Sequence, residues 1–287
     1  MSSSSDKRRR ARVQGGWAAP QRPKKSSASS SAPSEPEKSR IYEGQAWMGK
    51  IVDQPTTGKK FIYREPEEEI RVKPPDKVIT KPGVYDISES EIGTSRLRFF
   101  PEFIESKEAD WFYDQFYQDL PWRQRSDVKN GESYLQPRLT AWFGEHPYSY
   151  SGVTHDKNSE MTPALRHLKA RLEEATGYKF NSVLANLYRD GHDHVPWHSD
   201  DEKSLRSQPT IASLSFGDTR NFELRKKAPP GEDANYEYAQ HVSMPLNQGS
   251  LLIMEGAVQE DWQHRIPREY HDRGPRINLT FRIIYPD

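Results

Sequence analysis

The chain of 287 residues has no cysteine. That absence excludes disulfides, zinc ribbons, thiolate nucleophiles and iron–sulfur clusters together. Any metal site must be built from His, Asp and Glu. Long apolar runs are missing as well, and none approaches the ~20 residues that cross a bilayer. With no signal peptide at the start either, the expectation is a soluble, intracellular protein without a membrane partner. Net charge is the third absence, since 42 basic and 42 acidic side chains cancel. Residues 1–40, however, carry ten Lys or Arg against three Asp or Glu, a net of +7 that the remainder must offset. A neutral sum over such unlike parts says nothing about local partners.

The same 40 residues hold eleven serines and few large apolar side chains. Such a segment cannot bury enough surface to repay its ordering entropy, so it reads as disordered. Its basic run at 7–12 (Lys-Arg-Arg-Arg-Ala-Arg) fits a nuclear import signal or a phosphate-binding arm, and equally a solvated charge run. Residues 41–80, with Pro74-Pro75 and acidic residues at 67–69, read as an extended lead-in. This divides the chain into a basic, Ser-rich region at 1–80 and a folded domain at 81–287, with order beginning near Gly83.

After short apolar alternation at 96–103, a helix is expected from Ser106 as cap, with Glu108 and Asp110 in its first turn. Its stripe is Ala109, Phe112, Tyr113, Phe116 and Leu120, and Pro121 ends it. A second helix has Thr162 as cap, Pro163 at its first position, the stripe Leu165, Leu168, Leu172 and Ala175, and Gly177 at its close. Both stripes read as core-facing. Between the helices, 128–132 reads as a hairpin, because Asn130-Gly131 tolerates the positive φ of a type I′ turn. Strands are expected at 182–187, 211–216, 221–225, 236–242, 250–254 and 276–285. Many short strands after two helices make an α+β, mainly β chain: a β-sandwich or jelly roll with helices on one face.

The chemistry concentrates at Trp197-His198-Ser199-Asp200-Asp201. His198 and Asp200 are two apart, so an extended backbone points both to one side. With one more histidine they would make a two-histidine, one-carboxylate face on a metal, an arrangement suited to non-haem Fe(II) and dioxygen. By itself His-x-Asp is a common surface pattern. His192 and His194, at the polar Asp190-Gly191 turn, read as rim groups. His146, His155, His167, His241 and His271 lack a carboxylate at useful spacing, whereas His264 follows Trp262 after an apolar strand and a turn. The segment 276–282 then alternates with period two, with Ile277, Leu279, Phe281 and Ile283 on one face and Arg276, Asn278, Thr280 and Arg282 on the other. An ordinary strand with its polar face in water would look the same. Two arginines flanking an amide and a hydroxyl would also clamp a dicarboxylic acid, since the guanidinium fork matches a carboxylate.

His198-x-Asp200, His264 and the 276–282 strand together resemble the AlkB family of Fe(II)- and 2-oxoglutarate-dependent dioxygenases. Asn186-Leu187-Tyr188-Arg189, Pro137-Arg138-Leu139-Thr140 and Arg265-Ile266-Pro267 also look like that family, so the resemblance covers roughly 95–287. It implies a double-stranded β-helix (jelly roll) with helices packed on one face and a nucleotide-recognition lid hairpin. It implies Fe(II) held by His198, Asp200 and His264, with 2-oxoglutarate and O2 completing the site. By the same resemblance Arg276 pairs with the distal carboxylate of 2-oxoglutarate, while Asn278, Arg282, Asn186 and Tyr188 match its other contacts. Trp122, Tyr148 and Tyr150 match walls of the pocket, and Lys129 and Asn130 the lid. The implied reaction is oxidative demethylation of 1-methyladenine and 3-methylcytosine in single-stranded DNA and RNA, releasing formaldehyde, succinate and CO2.

These lesions carry positive charge, which Asp201 beside the metal face would attract. Tyr150 could stack on an extruded base and Arg138 could line the same pocket, though packing accounts for either equally well. Lys203, Arg206, Arg225, Lys226 and Lys227 are candidate phosphate contacts, or merely solvated basic surface. The implied protein is a monomer of nucleus and cytoplasm, with a helicase as a partner that supplies single strands. A protein hydroxylase or demethylase is the alternative, but a peptide needs neither Asp201 nor a nucleotide lid. A non-catalytic module would not be expected to keep the complete set, and a hydrolytic zinc enzyme leaves the two arginines without a role.

Overall fold

The computed structural model describes residues 72–129, 131–150, 153–228 and 236–286, without the side chains of 127–129, 148–150 and 153–155. The basic run at 7–12 and the rest of 1–71 lie outside the described residues. The described chain opens with strands β1 (Lys77–Val78), β2 (Gly83–Glu89) and β3 (Thr94–Phe100), followed by helix α1 (Ser106–Asp119). Next come β4 (Arg123–Lys129), β5 (Glu132–Gly144), β6 (Tyr148–Tyr150), β7 (Val153–His155) and helix α2 (Pro163–Thr176). The second half runs through β8 (Ser182–Tyr188), β9 (Val195–His198), β10 (Ile211–Gly217), β11 (Arg220–Lys226), β12 (His241–Leu246) and β13 (Leu251–Gly256). It closes with the short helix α3 (Val258–Asp261), β14 (Trp262–Ile266) and β15 (Arg276–Arg282).

The strands form an eight-stranded sheet in the order β2-β3-β13-β10-β15-β8-β5-β4 and a five-stranded sheet in the order β1-β12-β11-β14-β9. β6 and β7 pair only with each other. Period-two alternation gives the large sheet two buried faces. Leu214, Phe216, Val183, Ala185, Leu187, Ile277, Leu279 and Phe281 point to the helices, where Phe112, Phe116, Leu165, Leu168 and Leu172 cover them. A second core, including Leu252, Met254, Ile211, Phe222, Leu224, Val242, Met244 and Trp262, joins the opposite face to the small sheet. The expected two-sheet architecture with helices on one face is what the chain adopts.

The local signals fared unequally. Thr162 caps α2, its Oγ1 accepting from the Leu165 N–H at 3.2 Å, and Gly177 takes φ 78° after the last turn. Ala175, however, is exposed and falls off the buried stripe. α1 begins as expected, but its cap position is Glu105, which makes no side-chain cap bond; Ser106 is already helical. Across the hairpin Lys129 pairs with Glu132, leaving a two-residue turn in which Gly131 has φ 82° and Asn130 lies outside the described residues. The strand expected at 236–242 is displaced: Tyr236–Tyr238 is a 3-10 turn and β12 runs from His241 to Leu246. Pro245 disguised it. Parallel β1 pairs only with Val242 and Ser243, so the proline sits where the outer side of the strand needs no donor. β15 stops at Arg282 instead of Tyr285, because Ile284 N–H turns to the Asn181 Oδ1 at 2.8 Å and Tyr285 N–H to the Ser204 carbonyl at 2.8 Å.

Candidate metal and cosubstrate site

The side chains of β15 that alternate away from the helices enter the space between the sheets. Arg276, Asn278, Thr280 and Arg282 are all buried there, so of the two readings of this face, solvated surface or ligand site, the solvated one is excluded. Neighbouring strands hold them by register. Arg276 lies opposite Tyr188 and Asn278 opposite Asn186 on β8. On the other side, Asn278 Nδ2 donates to Ser213 Oγ at 2.7 Å and the Leu214 carbonyl at 3.1 Å, while Thr280 Oγ1 donates to Asn278 Oδ1 at 2.9 Å. Asn278 is thus locked by its own sheet.

The small sheet brings the metal-binding types. β14 and β9 pair with His264 opposite His198, and the two rings lie 4.2 Å apart between centroids. Asp200, two residues past His198, completes a group whose candidate ligand atoms all lie within 4.8 Å of one another. The Pro196 carbonyl sits 2.9 Å from His198 Nδ1, which places the proton on Nδ1 and the lone pair on Nε2, 3.7 Å from Asp200 Oδ1. Phe222 stacks on the His264 ring at 5.2 Å. Asp200 is held twice over: its N–H donates to Gln259 Oε1 at 2.9 Å, and its Oδ2 accepts from Arg282 Nη2 at 2.8 Å and Nε at 3.2 Å.

Electrostatics keep all three groups in their ligating forms. Burial pushes the Asp200 carboxyl up, but Arg282 and the two imidazoles outweigh it and hold the pKa at about 2. Burial, with His198 alongside, pushes His264 down to about 3, and burial also lowers His198. The result is a carboxylate and two neutral imidazoles at neutral pH.

Arg276 presents the opposite problem. It is 1% exposed, and burial pushes its pKa down to about 10. Its Nη2 donates to Ser215 Oγ at 2.9 Å and its guanidinium lies 5.2 Å from the Tyr188 ring centroid. Nε and Nη1 have no hydrogen-bond partner among the described residues, and no carboxylate pairs with it there. An unpaired buried cation calls for an anionic ligand. The residues therefore fit the groups the resemblance implies. Among the described residues Asp200 Oδ1 and His264 Nδ1 are buried without hydrogen bonds in a set suited to Fe(II), and Arg276 in the same cavity fits a carboxylate.

One cavity contains His198, Asp200, His264, Asn186, Tyr188, Arg138, Arg276, Asn278 and Arg282. It borders an outer groove of about 670 Å³, lined by Arg138, Leu135, His194, Trp197, His198 and Arg268 among others. Arg138 belongs to both, with its Nε donating to Asn186 Oδ1 at 3.0 Å. His192 and His194 line the outer groove, as rim groups should.

Other expected positions are not brought in. Trp122 packs beside α1, its Nε1 donating to the Phe116 and Tyr117 carbonyls at 3.2 Å each, and so walls no part of this cavity. Asp201 is exposed and does not line it. The backbone of Tyr148 and Tyr150 lies in β6, but their side chains, like that of Lys129 and the whole of Asn130, lie outside the described residues. The two arginines are not one clamp. Both line the cavity, but their Cα atoms are six steps apart on the strand, ~20 Å at ~3.3 Å per residue, and Arg282 is engaged with Asp200 while Arg276 is not. Ser213, Ser215 and Gln259 also hold the site together, though none stands out as a site residue along the chain. The two serines had a signal, since they alternate with Ala212, Leu214 and Phe216; Gln259, 59 positions from Asp200, had none.

Comparison with known proteins agrees with this geometry. The model of the 2OG-Fe(II) oxygenase superfamily matches residues 96–282. The chain is similar to the mouse protein named alpha-ketoglutarate-dependent dioxygenase alkB homolog 3, with 52% identity over 98% of this chain and 97% of that one. The human protein of the same name matches with the same identity and coverage. A protein of Arabidopsis thaliana named DNA oxidative demethylase ALKBH2 is 34% identical over 66% of this chain and 67% of its own length.

Proposed function

The chain belongs to the 2OG-Fe(II) oxygenase superfamily, and from that premise we propose that it is an oxidative demethylase of N-alkylated bases in single-stranded nucleic acid. The bases we assign are 1-methyladenine and 3-methylcytosine, in DNA and RNA. The observation that carries this reading is a single cavity holding two neutral histidines, one carboxylate and a buried arginine with no carboxylate partner among the described residues, beside a groove large enough for a base. The name of the Arabidopsis relative, a DNA oxidative demethylase, supports nucleic acid as the substrate.

His198, Asp200 and His264 would hold Fe(II), and Arg276 would take the distal carboxylate of 2-oxoglutarate. Bound together with dioxygen, these groups supply an oxidation of the N-methyl carbon coupled to decarboxylation of the cosubstrate to succinate. The chain's own part is positioning. Arg282 and Gln259 fix Asp200, the Pro196 carbonyl fixes the His198 tautomer, and Tyr188 and Ser215 fix Arg276. Arg138 stands where cavity and groove meet, and Asp201, exposed one residue past Asp200, offers negative charge to a cationic base. The hairpin of β4 and β5 would serve as the lid. A monomer of nucleus and cytoplasm, fed single strands by a helicase, goes with this reading.

The test is anaerobic loading with Fe(II) and 2-oxoglutarate, then air with an oligonucleotide containing 3-methylcytosine. Formaldehyde and succinate in equal amounts are expected. Succinate formation indifferent to the oligonucleotide, yet stimulated by a peptide, would favour a protein hydroxylase instead.

A further inference from the structure

The small sheet has an outer face whose residues are the immediate neighbours of the metal-binding ones. One position along from the His264–His198 pair stand Arg265 and Trp197, and Arg225 and Glu223 alternate with the buried Leu224 on the adjoining strand. Trp197, Glu223, Arg225, Gln263 and Arg265 are all partly exposed. The Arg225 guanidinium lies 3.6 Å from the Tyr236 ring centroid and 4.5 Å from that of Trp197, and the Arg265 guanidinium lies 4.4 Å from Trp197.

Two cations thus share one indole, with unequal partners. Arg265 pairs with Glu223 at 2.7 Å. Arg225 has only the neutral amide of Gln263, with Nη2 and Nε 2.7 and 2.9 Å from its Oε1, and no carboxylate within ion-pair distance among the described residues. Stacking fixes the plane of the Arg225 fork without neutralising it, which is how an arginine is pre-organised for a phosphate or carboxylate. Trp197 also lines the outer groove, together with Arg138, Arg189 and Arg268. Of these, Arg189 is matched by Asp193 at 2.8 Å. The patch is therefore continuous with a cationic groove.

We propose that Arg225, stacked between Trp197 and Tyr236 and supported by Arg265, binds a backbone phosphate of the nucleotide flanking the base that enters the groove. This rests on the reading of nucleic acid as substrate and adds to it a place for the strand outside the cavity. The contact carries no base identity, so it positions DNA and RNA alike.

The test is anisotropy of a labelled, unmethylated oligothymidylate titrated with full-length protein over a salt series, which requires no turnover. Arg225→Gln should weaken binding about three- to tenfold and reduce the slope of log affinity against log salt by ~0.7, the value for one single-strand phosphate. Arg225→Lys should restore the slope, since it keeps the charge. An Arg225→Gln protein with unchanged affinity and slope overturns this proposal and leaves the demethylase reading intact. If wild type fails to bind the oligonucleotide with any salt dependence, both fall. If a poly-glutamate peptide displaces the oligonucleotide at equal charge concentration, the patch belongs to acidic protein, and the phosphate assignment is overturned.

Discussion

The two faces of β15 are both buried, yet they are buried on opposite terms. Toward the helices, Ile277, Leu279 and Phe281 belong to an apolar core, and their side-chain atoms gain by leaving water. Toward the small sheet, Arg276, Asn278, Thr280 and Arg282 are desolvated just as fully, and polar atoms of Arg276, Asp200 and His264 have no hydrogen-bond partner among the described residues. The first face stabilises the fold and the second opposes it. A strand tolerates the second because the first is packed so well. The polar side is ready for ligands whose charge complements what burial has left unmatched.

The largest effect expected on this contrast comes from the cavity side. Asp200→Ala removes a candidate metal ligand and breaks the ion pair with Arg282, which is 4% exposed and lies 2.8 Å from Asp200. Metal titration should show no binding at the site, turnover should vanish, and urea unfolding should show a loss of ~3–5 kcal/mol, as for other broken buried pairs. Phe281→Ala, on the helix side and fully buried, should lose a comparable ~3–5 kcal/mol while folded protein keeps its Fe(II) affinity. A Phe281→Ala protein that folds but no longer binds metal would mean the faces are not separable.

Arg276→Met sharpens the same point with a smaller change. Ligand-free, it should be as stable as wild type or more so, because an unpaired buried cation is lost. Saturating 2-oxoglutarate at ~100 times its dissociation constant should stabilise metal-loaded wild type by ~2.7 kcal/mol and the variant by much less, as thermal shift would show. If 2-oxoglutarate shifts both proteins equally, Arg276 is not its anchor.

The smallest effect lies at the groove. Asp193 is buried, and although burial raises its pKa, hydrogen bonds from the Arg189 side chain and backbone outweigh that and lower it. A carboxyl with a depressed folded pKa contributes stability above the unfolded value of ~3.9 that fades as pH falls through the folded one. Acid unfolding curves should show this loss in wild type below about pH 4. Asp193→Asn should be less stable at neutral pH and flatter over that range.

What could be read along the chain was periodicity and chemistry at short separation. The alternation of 276–282 and 211–216, the cap and closing glycine of α2, and the two-residue spacing of His198 and Asp200 depend on neighbours a few positions away. The failures have equally physical causes. Trp122 was placed in the pocket by its resemblance to a family position, but its indole N–H is satisfied by the end of α1. The segment 236–242 holds two tyrosines and a valine, while the observed strand carries Pro245, whose missing N–H is tolerated because β1 pairs only as far as Ser243. The pairing of the two arginines as one clamp ignored the length of the strand between them.

By itself the sequence determined which residues could ligate a metal, which faces of the strands would be apolar, and that no thiolate could take part. It could not decide that His264 would lie beside His198, 66 positions earlier, or that Gln259 would hold the Asp200 N–H. Those meetings depend on the register between β9 and β14 and on the docking of one sheet against the other. A strand's side chains change face with every one-residue slip, so the register is selected by the packing of both cores at once. The tertiary structure alone also decided that the polar face of β15 would be enclosed. Alternation says that a strand has two faces, and only the second sheet says which of them meets water.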